Sequence, residues 1–217
     1  MTDEKNRLEK ELEELGSIEG LLESFDDNKL PASYVERYIA SGADVNLNFG
    51  TTDHAYYLLE TACHSDSLEN VKELLAAKAD PSAVSQTHGG RSYGETPLFA
   101  AVHNTCERGG NPEIVRVLLE AGADVGKGMD AMGMACKAGN AAVAKLLVDA
   151  KAELGFTEFE TPLHTACGYD HANITQLLVD AGADVNLKDE AGRTPLDVAR
   201  LNDAVASAMI VAPLTDQ

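Results

Sequence analysis

Two short runs of residues return along this chain at a fixed separation, and that separation constrains the fold more than any other feature. One run is Gly42-Ala43-Asp44-Val45-Asn46, repeated as Gly122-Ala123-Asp124-Val125-Gly126 and Gly182-Ala183-Asp184-Val185-Asn186. Weaker copies stand at Lys78-Ala79-Asp80-Pro81 and Lys151-Ala152-Glu153-Leu154. The other run is Thr96-Pro97-Leu98-Phe99-Ala100-Ala101, Thr161-Pro162-Leu163-His164-Thr165-Ala166-Cys167 and Thr194-Pro195-Leu196-Asp197-Val198-Ala199, with degenerate copies from Tyr57 to Cys63 and from Asp130 to Cys136. The step from the second run to the next Gly or Lys is 21 residues from Tyr57 to Lys78, from Asp130 to Lys151 and from Thr161 to Gly182. Thr96 to Gly122 takes 26, an insertion of five. The same ruler laid back from Gly42 reaches Leu21, so a first, atypical repeat is expected to open with Leu21, Leu22 and Phe25. Between repeats the length varies, from 8 residues (Gly122 to Asp130) to 18 (Lys78 to Thr96). A constant interior joined by variable connections marks a repeated supersecondary unit.

The chemistry of the runs says what the unit is. A threonine hydroxyl can cap the free N–H groups at a helix start, and proline in the first turn gives up no hydrogen bond. Leu and Ala four to five residues on give the inner face one bulky and one small side chain. A second helix follows as an apolar stripe at helical period: Ile114, Val115, Leu118, Leu119; Val143, Leu146, Leu147; Ile174, Leu177, Leu178. Glycine then ends it in the left-handed conformation. Lys78 and Lys151 at that position are expected to be mildly strained.

These residues resemble the ankyrin repeat, a TPLHxAA helix, a second helix and a GADVN turn into a β-hairpin finger, over about residues 17 to 212. The resemblance implies an all-α fold, an ankyrin-repeat solenoid of about six helix–turn–helix units with β-hairpin fingers. Residues 17–217 are expected to form the repeat domain, with capping repeats at about 17–48 and 187–212 and a short last helix around Ala204 to Ile210. Before it, residues 1–16 carry Leu8, Leu12 and Leu15 among charges, and are expected to form an acidic helix packed on the first repeat. Under two heptads, that stripe is too short to dimerise alone, and a monomer is expected.

Bulk properties narrow the partners. The formal net charge is −19, from 36 acids and 17 bases, the reverse of a phosphate-binding surface, so no nucleic acid is expected. The acidity would speed encounter with a basic protein surface. No apolar run approaches the length of a membrane span. The opening residues lack the basic and apolar regions of a signal peptide. A cytoplasmic, membrane-free protein is the expectation.

Residues that could carry chemistry have structural readings. Cys63, Cys136 and Cys167 share one position in three repeats, a slot where a small buried residue is expected. Equivalent positions lie about 10 Å apart, too far for a disulfide, and free thiols suggest a reducing compartment. Cys106 falls in the insertion Thr105-Cys106-Glu107-Arg108-Gly109, three residues after His103, and is expected in an inter-helix loop. A Cys–His pair can form a nucleophile, yet no orienting group or oxyanion site accompanies it. His164, in the TPLH run, is implied by the resemblance to bridge backbone groups of adjacent repeats. His54, His64, His88, His103 and His171 have no paired metal-ligand spacing. The glycine-rich run from Gly89 to Gly94 lacks the Lys-Ser/Thr of a phosphate loop. No enzyme activity, metal or cofactor is expected.

What remains is a binding surface. The resemblance implies that partners contact the concave side, made of finger tips and exposed first-helix residues. Carried onto this chain, that face comprises Tyr56, His64, Ser65, Tyr93, Glu95, His103, Asn104, Lys137, Phe159, Glu160, Tyr169 and Arg193. Ala138 and Gly168 fall on it as well, and Phe49 and Phe156 lie in fingers. Tyr and Arg are the residues that interface hot spots favour. The third repeat, with its long finger and its insertion, is the most irregular part of the face. The function implied is a non-catalytic protein–protein interaction module; the alternative is a dedicated inhibitor or immunity protein that plugs a partner enzyme.

Overall fold

The computed structural model describes residues 32–85, 94–155 and 160–215, apart from 41, 43, 48, 52, 53 and 110. The expected N-terminal helix and the opening of the first repeat lie outside these residues. Eleven α-helices follow one another in the described chain. Repeat one contributes α1 (Ala32–Ala40), repeat two α2 (Leu58–His64) and α3 (Leu68–Ala76), and repeat three α4 (Pro97–Arg108) and α5 (Pro112–Glu120). Repeat four gives α6 (Ala131–Ala138) and α7 (Ala141–Asp149), repeat five α8 (Pro162–Gly168) and α9 (Ala172–Asp180), and repeat six α10 (Pro195–Leu201) and α11 (Val205–Val211). A short 3-10 turn, Ala212–Leu214, ends the chain's described part. One finger holds a two-stranded antiparallel hairpin, β1 (Phe49–Thr51) and β2 (His54–Tyr56), in which Phe49 pairs with Tyr56 and Thr51 with His54. The chain divides into two compact units between Met129 and Asp130, with the last turn of α4, Cys106–Arg108, grouped with the second.

Each first helix starts where the residue types dictate. Thr96, Thr161 and Thr194 are N-caps in extended conformation with proline in the first turn. Their hydroxyls accept from the N–H of Phe99 at 3.1 Å, His164 at 3.3 Å and Asp197 at 3.2 Å. Asp130 does the same for Gly133 at 2.7 Å, whereas Tyr57 caps α2 with no side-chain bond. A free N–H left at a helix start costs about 1 kcal/mol, so α2 begins with a local weakness.

The second helices bury their stripes. Val71, Leu74, Ile114, Val115, Leu118, Val143, Ala144, Leu147, Ile174 and Leu178 are all at most 1% exposed. Leu119, Leu146 and Leu177 are half-buried at the stripe's edge. Like packs on like: α6, α8 and α10 stack as first helices, and α7, α9 and α11 as second helices, in the second unit. In the first unit α1, α3 and α5 form the corresponding second-helix row.

The recurring turn has a physical origin. Asp44, Asp80, Asp124 and Asp184 each accept, on Oδ1, the N–H two residues on, at 2.8 to 2.9 Å, closing the same turn four times. Asn46 then ties its turn to the next, donating to the Lys78 carbonyl at 3.1 Å and accepting from the Asp80 N–H at 2.7 Å. Two residues before these aspartates the backbone is left-handed, with φ +75° at Gly42, +72° at Lys78, +88° at Gly122 and +91° at Gly182, and the matching Lys151 has +66°. Glycine should relieve the two lysines at some entropic cost in the unfolded chain. Lys78→Gly and Lys151→Gly are each expected to raise stability by about 0.5 kcal/mol, read as higher urea midpoints. Unchanged or lower midpoints would show that the left-handed backbone costs nothing there.

The insertion of repeat three corrects one expectation. Thr105 to Arg108 continue α4, which reaches 12 residues against 7 in α2 and α8. Cys106 is therefore a half-buried helical residue and not a loop cysteine. The helix carries on because nothing in Thr105-Cys106-Glu107-Arg108 stops it until Gly109, which ends it at φ +69°. Burial, with the Glu107 charge next in weight, pushes the Cys106 thiol up to about 11, which silences it as a nucleophile.

Candidate functional site

The residues of the expected face start from the C-terminal ends of first helices and the bases of fingers. In the second unit, α8 ends at Gly168, leaving Tyr169 as its C-cap, 55% exposed. Asp170 then adopts φ +55°, and its carboxylate accepts the Ser207 N–H of the next repeat at 2.8 Å. That bond holds the Asp170 carboxyl below the usual range. The turn aims His171 back beneath Tyr169, the two rings stacking at 6.1 Å and 6°. His171 Nε2 lies 3.2 Å from the Lys137 carbonyl oxygen, and Lys137 itself is exposed. The imidazole fits because Gly139, at φ +71°, has no side chain; a Cβ there would come within 2.6 Å of the ring. Tyr169 and His171 thus form one aromatic patch seated against the Lys137 backbone. His171 was not among the expected face residues, because its position after a turn hides its direction.

Other expected residues are engaged. Arg193 is exposed but holds Asp189 through Nε at 2.7 Å and through a second guanidinium contact at 2.6 Å, fixing the last finger. The Arg193 side chain lowers the Asp189 carboxyl. Glu160 accepts from the Thr165 hydroxyl at 2.8 Å at the start of α8. His164, fully buried, behaves as the resemblance implies. Its Nδ1 meets the Thr161 hydroxyl at 2.8 Å and the Thr161 N–H at 3.3 Å, and its Nε2 reaches the Arg193 carbonyl of the next repeat at 2.9 Å.

In the first unit, Asn104 is 4% exposed and donates to the Cys63 carbonyl at 3.4 Å, so it ties α4 to α2 and presents no open side chain. His103 is half-buried against Phe99, with ring centroids 6.1 Å apart. Ser65 donates to the Thr61 carbonyl at 2.8 Å. Tyr56 sits in β2, while Tyr93 and Phe159 lie outside the described residues. Below the long finger, the Ser85 N–H donates to the Glu95 carbonyl at 2.9 Å. Gly94 is required there by close approach, since a Cβ would stand 2.0 Å from the Ser85 oxygen. His64 Nε2 lies 3.3 Å from Glu95 Oε2. Glu60, one turn before His64 on α2, completes the group, with one ligand-type atom of each residue within 4.8 Å of the others. Glu60 is 1% exposed, and burial, followed by the Glu95 charge, raises its carboxyl to about 7. Sequence reading passed over Glu60 because its place in the repeat reads as core.

Cys63, Cys136 and Cys167 are fully buried and free, as their shared slot predicts. A shallow apolar groove of about 480 Å³ between α1 and α3 is lined by Glu36, Ile39, Ala40, Glu73, Ala76 and Ala77, none of them on the expected face. No helix among the described residues is long and apolar enough to cross a membrane.

Comparison with known proteins agrees with this geometry. A family model described as ankyrin repeats (3 copies) matches residues 28–129, 103–189 and 132–211. The transient receptor potential cation channel subfamily A member 1 of Drosophila melanogaster is 33% identical over 119 residues, which is 50% of this chain and 10% of that protein. The likeness therefore spans a small part of the channel's length. With its capped helix pairs, left-handed turns and three overlapping family matches, the chain belongs to the ankyrin-repeat family.

Proposed function

We propose that this chain is a non-catalytic module that binds another protein through the exposed ends of its first helices and the bases of its fingers. The observation that carries this reading is Tyr169, an aromatic ring 55% exposed yet held in place by stacking on His171. Such a side chain loses little entropy on docking, and tyrosine is among the residues that dominate interface energy. Lys137 borders it in the second unit; His64, Ser65, Glu95 and His103 make up the first unit's share, with Tyr56, Tyr93 and Phe159 in the fingers. Ankyrin repeats generally serve protein–protein interaction, which supports the reading.

The net charge of −19 favours a partner with a basic surface. Four free thiols fit a reducing compartment such as the cytoplasm. The test is affinity capture from lysate with wild type and with a Tyr169→Ala/Lys137→Glu variant, followed by titration of the captured partner. Truncating a tyrosine anchor is expected to weaken binding by about 30-fold, near 2 kcal/mol. Raising salt should slow association while leaving dissociation nearly unchanged. An unchanged partner affinity in the double variant would move the binding surface off this patch.

A further inference from the structure

The third residue of a first helix has a repeated job in this fold. In repeat five it is His164, bonded both to its own N-cap and to the next finger base. In repeat six it is Asp197, which accepts from the Thr194 N–H at 2.9 Å and the Thr194 hydroxyl at 2.8 Å. In repeat two it is Glu60, whose N-cap, Tyr57, offers no side-chain bond. Neither Glu60 carboxylate oxygen has a hydrogen bond of good geometry, although the Ser85 hydroxyl and the Tyr57 N–H stand close enough to pull its carboxyl partly back down against burial and the Glu95 charge. The Ser85 hydroxyl beside it donates to the Glu95 carbonyl at 3.2 Å. A buried carboxylate in this state needs a counter-charge or a proton.

Glu60 faces two further ligand-type groups, His64 from the next turn of α2 and Glu95 from the following finger base, all within 4.8 Å. In a tetrahedral zinc site, bonds of about 2.1 Å set neighbouring ligand atoms about 3.4 Å apart. The His64–Glu95 edge, at 3.3 Å, already has that length. We propose that Glu60, His64 and Glu95 bind a divalent transition-metal ion, Zn²⁺ being the closest match to one imidazole and two carboxylates.

The charges fit, since two carboxylates neutralise one divalent cation. The ion would clamp α2 to the next finger base, the task His164 performs with hydrogen bonds in repeat five. Glu60 closes the inner side, while the His64 and Glu95 side chains are 31% and 21% exposed, so a fourth coordination position opens outward to water. The site does not depend on the docking reading above.

Chelator-stripped full-length protein, titrated calorimetrically with ZnCl₂ and melted with and without it, tests the proposal. Wild type should take one ion per chain and melt higher with it. Glu60→Gln and His64→Ala should each lose about 100-fold or more in affinity, beyond what is typical for a supporting residue, and lose the melting shift. Glu60→Gln keeps size and removes a buried charge, so it remains folded, which circular dichroism verifies. Cys106→Ser should bind as wild type does. No binding by wild type, wild-type affinity in both ligand variants, or a loss confined to Cys106→Ser would each overturn the site, the last in favour of a thiol ligand.

Discussion

Replacing His164 with alanine should lower the unfolding free energy by about 3 kcal/mol, measured by urea denaturation. The ring is fully buried and uses both nitrogens. Because the Thr161 N–H donates to Nδ1, the proton sits on Nε2, which donates to the Arg193 carbonyl. Alanine leaves that carbonyl and the Thr161 N–H without their partner, each costing about 1 to 3 kcal/mol, and adds a cavity. Arg193→Ala is the matched control. It keeps the backbone carbonyl that His164 needs and removes only the partly exposed pair with Asp189, for an expected loss under about 1 kcal/mol. Equal losses in the two variants would mean that the Arg193 side chain, rather than the imidazole, holds the fifth repeat to the sixth.

The same residue shows what kind of information the sequence held. Thr161, Pro162 and His164 act within one helix start, so their spacing reveals their roles. The 21-residue ruler works because it counts through two helices and one tight turn, where each residue has one allowed position. It even located Lys78 and Lys151 in the left-handed region, against their residue type. Legibility fell where the outcome depended on what lies across a repeat boundary. Asn104 reads as a polar surface residue, and only the Cys63 carbonyl opposite makes it a buried tie. Cys106 reads as a loop residue because an insertion between helices is usually a loop, whereas here it lengthens a helix.

One signal could have been found. Asp66, Asp170 and Asp203 each lie nine residues after an N-cap, and all three are left-handed, at φ +53°, +55° and +56°. Gly139 fills the same place in repeat four at φ +71°. Two of these aspartates reach across to the next repeat, Asp66 to the Asn111 N–H at 2.7 Å and Asp170 to the Ser207 N–H at 2.8 Å. Aspartate tolerates the left-handed turn and brings an acceptor with it, so one residue type does both jobs. The expected docking face was legible as a set of positions, and its members differ in what their neighbours leave free. Tyr169 is presented outward because Asp170 and Gly139 fix the turn beneath it; Arg193 is held by Asp189.

Glu60→Gln, in the presence of chelator, should stabilise the protein by about 3 kcal/mol at pH 8, with the gain vanishing below about pH 4.5. The Glu60 carboxyl is raised from 4.5 to about 7 on folding, so the folded state holds its proton more tightly than the unfolded chain does. Stability from this group is therefore full below pH 4.5, declines between 4.5 and 7, and is gone above 7. Glutamine mimics the protonated acid at every pH, which is why the two proteins converge in acid and separate in base. Asp170, Asp189 and Asp197 have lowered values and act in the opposite sense, losing stability as pH falls, so the difference between variant and wild type is the quantity to follow. A difference that stays constant from pH 4 to 8, or favours wild type in chelator, would mean that Glu60 is satisfied as a charge by the protein alone. Saturating Zn²⁺ in place of chelator should narrow or reverse the gap at pH 8, since only wild type then gains a cation beside its buried carboxylate.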